Sequence, residues 1–303
     1  NGVIMKISKI LMGAAALTGA LILGGCRQNE DPHGILNIKG DTASINYTNE
    51  DTGITHRGFN TLKTKHTDAV AVITIDTKES KANETTNKAG VFGFIFDLNK
   101  TTAKDSNEEE RKSYDFTSVA VRYYGSSLQT YVSRFSGVCP DYLDGENNFK
   151  DVNGVELTSK ANETSKAIET EYLKGSSGAY ATIEGVSPDD DGKIKVAIEV
   201  VANKDGTYSI AYYKADDLAD SAKEDDGTQT GQIKSGSTPL AVKGNKTLDS
   251  GKLSVDASWK EGVTDTKQTD MGFYAAVYPS STLVGEIKLP YILNEGEVAE
   301  WYE

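Results

Sequence analysis

The first residues in this chain that could do chemistry are arginines and tyrosines on two neighbouring strands. Phe116–Tyr124 and Leu128–Phe135 flank Gly125-Ser126-Ser127. A three-residue turn at 125–127 puts Arg122, Tyr124, Thr130 and Arg134 on one face of the hairpin. It puts Val119, Val121, Tyr123, Tyr131 and Phe135 on the other, and a two-residue turn would shift that register. A face that mixes aromatic rings and cations suits stacking on sugars or holding a carboxylate. The bland alternative is an outer sheet face that carries Tyr because Tyr is a good strand former. The chain has 15 Tyr against 8 Phe and 2 Trp, so Tyr supplies most of the rings available for either role.

Two acidic clusters could offer the six to eight oxygens that Ca²⁺ takes. One is Asp189-Asp190-Asp191-Gly192, and the other is Asp141 with Asp144, Glu146 and Asn148. Neither matches a calcium loop, and a solvated turn beside a strand accounts for both in an acidic chain. No cofactor is otherwise expected. The histidines His33, His56 and His66 make no zinc-hydrolase spacing. Gly175-Ser176-Ser177-Gly178 is not a nucleophile elbow, and no phosphate-cradling Gly-Lys loop occurs. No catalytic residue is assigned. Cys139 reads as a small buried hydrophobe, because no histidine lies near it in sequence to act as a base.

The N-terminus carries a different chemistry. Met5 reads as the start, with residues 1–4 an upstream translation artefact. Lys6 and Lys9 precede an apolar run from Ile10 to Leu23, which is short for a ~30 Å hydrocarbon core and fits a signal peptide. The run ends in Leu23-Gly24-Gly25-Cys26. These four residues resemble the lipobox of bacterial lipoproteins: an aliphatic residue, two small ones, then Cys. The resemblance covers residues 5–26. It implies cleavage before Cys26, a thioether-linked diacylglycerol on its thiol and a further acyl chain on the new N-terminus. Several chains together give the firm anchoring that one chain does not. Arg27 follows the Cys, so the retention aspartate of some enterobacterial lipoproteins is absent, and by that analogy the protein goes to the outer membrane, at the cell surface.

The whole chain has 45 Asp+Glu against 32 Lys+Arg, a net charge of −13 and a pI near 4.8. Removing residues 1–25 takes two lysines and no acid, leaving −15. Nucleic-acid binding needs a basic patch and is excluded. An electrostatic grip on anionic lipid is excluded on the same ground, so the membrane is reached through the anchor alone. With Cys26 lipidated, Cys139 has no partner for an intramolecular disulfide.

Period two dominates beyond a polar tether at 26–34, where His33 reads as solvated. Ala69, Ala71, Ile73 and Ile75 share a face. So do Phe92, Phe94, Phe96 and Leu98; Ile194, Val196, Ile198 and Val200; and Leu253, Val255, Ala257 and Trp259. Such alternation marks half-buried strands. Turns pair Ile194–Val201 with Thr207–Lys214 through Asn203–Gly206, and Gly272–Tyr278 with Thr282–Leu289 through Pro279-Ser280-Ser281. Residues 77–89, 99–113, 158–166 and 215–237 read as polar loops. Short helices are expected at 161–173 and 295–302, with Trp301 sealing an edge. The expected architecture is all-β, an antiparallel β-sandwich with one or two short helices, built as one domain over 35–303.

Val91–Leu98, Tyr114–Val121 and Leu128–Phe135 together resemble the strand order of concanavalin-like or laminin-G-like jelly rolls, over about residues 65–290. The lipobox ahead of an acidic, Lys- and Thr-rich β domain also resembles the surface lipoproteins of spirochaetes. Three functional readings follow. The first is a lipid-anchored, non-enzymatic envelope protein displaying a binding or adhesion surface for a glycan or protein ligand. The second is a periplasm-facing structural or assembly lipoprotein. The third is a carbohydrate-active enzyme, although no strand carries the Glu-x-Asp-x-Glu triplet of jelly-roll glycosidases.

Overall fold

Alternating side chains decide which way each strand faces, and two sheets follow from it. The computed structural model describes residues 31–66, 68–144, 149–157, 174–175, 178–219, 230–244, 247–248, 252–256 and 269–293. Its strands, in chain order, are β1 (Leu36–Lys39), β2 (Thr42–Asn49), β3 (His56–His66), β4 (Asp68–Asp76), β5 (Lys88–Lys104), β6 (Glu110–Tyr124), β7 (Ser127–Val138), β8 (Lys174–Gly175), β9 (Gly178–Ala179), β10 (Thr182–Ile183), β11 (Lys193–Ala202), β12 (Thr207–Tyr213), β13 (Val242–Lys243), β14 (Thr247–Leu248), β15 (Lys252–Asp256), β16 (Thr269–Val277) and β17 (Ser281–Leu293). One sheet runs β1-β2-β17-β4-β11-β12-β15, and the other β14-β13-β10-β7-β6-β5-β16-β3. β8 and β9 form a separate two-stranded ladder. Among the described residues the helical content is two short 3₁₀ turns, Pro140–Tyr142 and Ala215–Asp217. The helices expected at 161–173 and 295–302, and Trp259 and Trp301, lie outside the described residues.

The sheets pack face to face as an all-β sandwich. Ala69, Ala71, Ile73 and Ile75 of β4 meet Phe92, Phe94 and Phe96 of β5 in one core, joined by Ile194, Val196, Ile198 and Val200 of β11 and Leu253 of β15. That core runs from Ile35 to Leu289, so both ends of the described chain contribute to it. Phe96 meets Tyr208 of β12 edge-on, with ring centroids 4.7 Å apart, and so bridges the two sheets.

At three places the structure departs from the sequence expectation. First, Leu98 leaves the face of Phe92, Phe94 and Phe96 and joins a second cluster on the outer side of the eight-stranded sheet. The cause is a bulge between Phe96 and Asn99, where Asp97 takes φ 52° and reverses the alternation. Second, β16 and β17 do not form a hairpin. Met271, Phe273 and Val277 face the core from one sheet, and Leu283, Ile287 and Leu289 face it from the other. The connection at Pro279–Ser281 therefore crosses between sheets, with Ser280 at φ 53° and Ser281 Oγ 2.7 Å from Ala89 O. Third, residues 99–113 are mostly strand. Asn99–Lys104 pairs with Glu110–Asp115 as a hairpin arm whose Asn99–Lys104 strand is largely solvent-exposed, so apolar alternation is missing there. Asp105 closes its turn by accepting the amides of Asn107 (2.8 Å) and Glu109 (3.0 Å) and pairing with Arg111 Nε (2.7 Å).

Cys139 is fully buried ahead of the first 3₁₀ turn, and burial pushes its thiol up from the usual cysteine range. The native thiol is expected to resist an aromatic disulfide reagent at mildly alkaline pH and to react at once when urea unfolds the chain. Rapid native labelling of Cys139 would contradict the packing described.

Candidate binding face

The hairpin of β6 and β7 turns through two residues, Gly125-Ser126. Tyr124 lies opposite Ser127, Arg122 opposite Gln129 and Val121 opposite Thr130. Gly125 makes this possible by taking φ 60° at the first turn position, where two-residue hairpins favour a positive φ. The shorter turn moves β7 by one residue and splits the expected face. Arg122 and Tyr124 stay on the outer side and gain Gln129 and Tyr131. Thr130 and Arg134 fall on the inner side with Val121 and Thr117, their register partners.

Both inner residues hold structure. Thr130 is fully buried, and its Oγ1 accepts the amide of Ala181 at 3.1 Å, tying β7 to the start of β10. Arg134 Nη1 donates to Asp97 Oδ2 at 2.6 Å and to Thr117 Oγ1 at 3.2 Å, so it neutralises a carboxylate buried at the β5 bulge.

Register lays out the outer face of the eight-stranded sheet in rows. One row runs Arg57, Ala276, Val91, Arg122 and Gln129 across β3, β16, β5, β6 and β7. The next runs Phe59, Tyr274, Gly93, Ala120 and Tyr131. Gly93 and Ala120 leave the middle of that row low, and a Cβ on Gly93 would meet the Ala120 backbone and side chain. Above them Tyr131 and Tyr274 approach to 6.5 Å between ring centroids.

The segment around Leu143 and Phe149 closes one half of this face. The Phe149 ring stacks on Phe59 at 5.7 Å and meets Phe135 edge-on at 4.5 Å. Arg57 lies 5.2 Å from the Phe149 centroid and donates to Leu143 O at 3.1 Å. The other half stays half-buried. There Tyr124, Gln129, Tyr131, Tyr180, Tyr278 and Lys88 surround the buried Arg122.

The electrostatics of this corner are unusual for an acidic chain. The Arg122 guanidinium carbon lies 3.3 Å from the Tyr180 ring centroid and 5.2 Å from that of Tyr124, both within cation–π range. Its Nε donates to Gln129 Oε1 at 2.9 Å, and Nη2 donates to the same oxygen. Lys88 Nζ lies 5.9 Å from the Tyr278 centroid. Burial and then the Arg122 charge pull the Lys88 ammonium below the usual lysine range. Burial raises the phenols of Tyr131, Tyr274 and Tyr278, so all three hydroxyls stay protonated at neutral pH. Tyr278 hydrogen-bonds Tyr180, and Tyr274 hydrogen-bonds Arg57 and Tyr131. The result is a corner of rings, hydroxyl groups and two adjacent cations.

No protein-family model, curated protein or solved structure matches the chain.

The acidic clusters serve the backbone and neighbouring cations. Asp189 Oδ1 accepts the amides of Asp191 (3.1 Å) and Lys193 (2.8 Å), and its other oxygen lies 3.8 Å from Lys195 Nζ. The amide of Lys193 holds its carboxyl below the usual range. Lys78 Nζ donates to Asp190 O, so the 189–191 turn is pinned to the start of the β4–β5 connection. Asp141 pairs with Arg111 at 3.2 Å and Asp144 with His33 at 2.6 Å, while Glu146 and Asn148 lie outside the described residues. Among the described residues no group of three or more His, Cys, Asp or Glu side chains is placed to hold a metal ion.

The structure also assembles a group that sequence spacing did not suggest. His33 and His56 stack with centroids 3.8 Å apart and planes 5° from parallel. His56 Nε2 lies 2.6 Å from Asp51 Oδ2, and its Nδ1 lies 2.9 Å from the Tyr47 hydroxyl. Carboxylate, imidazole and hydroxyl in that order form the skeleton of a nucleophile relay. The Tyr47 phenol is nevertheless pushed up, first by burial and then by the charges of Asp144, Asp51 and Asp31, which keeps it protonated and a poor nucleophile. The group acts as a clip. It joins residue 33 to β2, the β2–β3 connection and the segment after the first 3₁₀ turn. No local signal marks it, because His33 and Asp144 are 111 residues apart.

Proposed function

We propose that this chain is a lipid-anchored cell-envelope protein whose sandwich binds a glycan on the outer face of its eight-stranded sheet. The carrying observation is the half-buried corner where Tyr124, Tyr131, Tyr180 and Tyr278 gather around Arg122. Tyrosine rings stack on the apolar faces of sugars, and their hydroxyl groups reach sugar hydroxyls. Gln129 and the phenols add donors and acceptors in fixed positions, which is what orients a polar ligand in a site. The lipobox-like Leu23–Cys26 supports both the anchor and a position outside the cytoplasm.

The test uses the lipidated full-length protein in detergent micelles on an oligosaccharide array. Binding is expected, and Tyr180→Ala is expected to weaken it at least about tenfold, the scale of one lost stacked ring and its buried area. Unchanged binding by that variant would move the ligand elsewhere on the molecule. In parallel, Cys26→Ala is expected to abolish partitioning into the membrane fraction. A Cys26→Ala protein that still pellets with membranes would sink the anchor.

A further inference from the structure

Resting on the glycan reading, we infer that the Lys88–Arg122 corner selects an acidic glycan, one whose sugar carries a carboxylate. Positive charge is left over at this corner. Two other arginines of the sandwich have carboxylates beside them. Arg134 holds Asp97 at 2.6 Å, and Arg111 holds Asp105 at 2.7 Å, Asp141 at 3.2 Å and Glu109 at 3.3 Å. Arg122 is more deeply buried than Arg111, yet among the described residues it meets no carboxylate, only the Gln129 oxygen and two ring faces. Lys88 likewise has no carboxylate within ion-pair distance among the described residues; it lies opposite Tyr124 in the register, and the Arg122 guanidinium sits 5.2 Å from that ring.

A chain with 45 acids and 32 bases could easily supply an anion here. Two neighbouring, partly desolvated cations without one repel each other and retain unspent hydrogen-bond donors. A carboxylate entering this corner would relieve that repulsion and accept charge-assisted hydrogen bonds from both. The rings of Tyr124, Tyr180 and Tyr278 bracket the same spot, so the group bearing the carboxylate needs an apolar face as well. A uronic-acid-type sugar has both. A bare inorganic anion has no face to stack, and a neutral sugar leaves the cations uncompensated.

The test titrates lipidated full-length protein in detergent with matched oligosaccharide pairs of equal length: galacturonan against galactan, glucuronan against glucan and mannuronan against mannan. The acidic member of a binding pair is expected to bind about tenfold more tightly at low ionic strength, an advantage that shrinks as salt is added. Lys88→Gln keeps the side-chain stem and removes the charge. It is expected to bring the acidic and neutral members within about twofold of each other, with the larger loss on the acidic member. Equal affinity for both members in the unmodified protein would overturn the acidic selectivity and leave the glycan reading standing. Binding of no member of any pair would overturn both.

Discussion

Arg134→Met is expected to destabilise the fold by about 3–5 kcal/mol, because it takes a close counter-charge away from a buried carboxylate. The Asp97 side chain is 1% exposed and sits where β5 bulges, with Arg134 Nη1 2.6 Å from its Oδ2. Removing Arg134 weakens the compensation of a charge held in low dielectric. The partner can be neutralised without disturbing the backbone. Asp97 takes φ 52°, a conformation that Asn tolerates well, so Asp97→Asn changes charge and little else. The double variant Arg134→Met/Asp97→Asn is therefore expected to recover most of the loss. Urea unfolding followed by tyrosine fluorescence measures all three proteins. A loss below about 1 kcal/mol for the single variant would show that the pair is not the charge balance described.

One residue earlier in the chain, Phe96→Ala is expected to cost about 3–5 kcal/mol for a different reason. Phe96 is fully buried, tilted against Phe94 at 6.3 Å and edge-on to Tyr208 of the opposite sheet at 4.7 Å. Truncation removes the ring contact between sheets and leaves a cavity between two hydrogen-bonded layers that cannot easily collapse. The inner face is also separated from the tyrosine corner by the thickness of one sheet. Under conditions where the variant remains folded, its ligand affinity is expected to match that of the unmodified protein. A parallel loss of affinity would mean that the two faces are coupled.

The strands that alternate cleanly were legible in the sequence because one face of each is a continuous row of core residues. Ile194 to Val200 and Ala69 to Ile75 show it: every second residue enters the core. What was not legible depended on single residues of geometry. One residue in the Gly125-Ser126 turn decided whether Tyr131 or Thr130 joined Arg122, and period-two reasoning amplifies that difference along the whole strand. Pro279–Ser281 looks like a hairpin turn locally, and only the shared core shows that it passes between sheets. Of the four residues read as a site, Arg122 and Tyr124 remain together. Tyr180 and Tyr278, which complete it, lie between β9 and β10 and just after β16, 56 and 154 residues further along the chain from Tyr124, and carry no motif. The His33–His56 clip is invisible for the same reason, since stacking between distant imidazoles leaves no spacing to read.

The clip also sets a stand-off height. Asp31 accepts the amides of Ile35 and Leu36, and His33 is held against His56 and Asp144, so the chain is tied to the sandwich from residue 31 onward. Asp31 is only the fifth residue after Cys26, a leash of at most about 17 Å. His56 pairs with Val277 at the same strand end as Lys88 and Tyr124, and Arg122 lies three strands along, about 14 Å away. With lipid on Cys26, the tyrosine corner would ride within roughly 30 Å of the acyl chains. On the anchor and glycan site proposed above, a reader mounted that low would sample polymers lying flat along its own envelope, and lengthening the leash rather than altering the corner would be the way to redirect it outward.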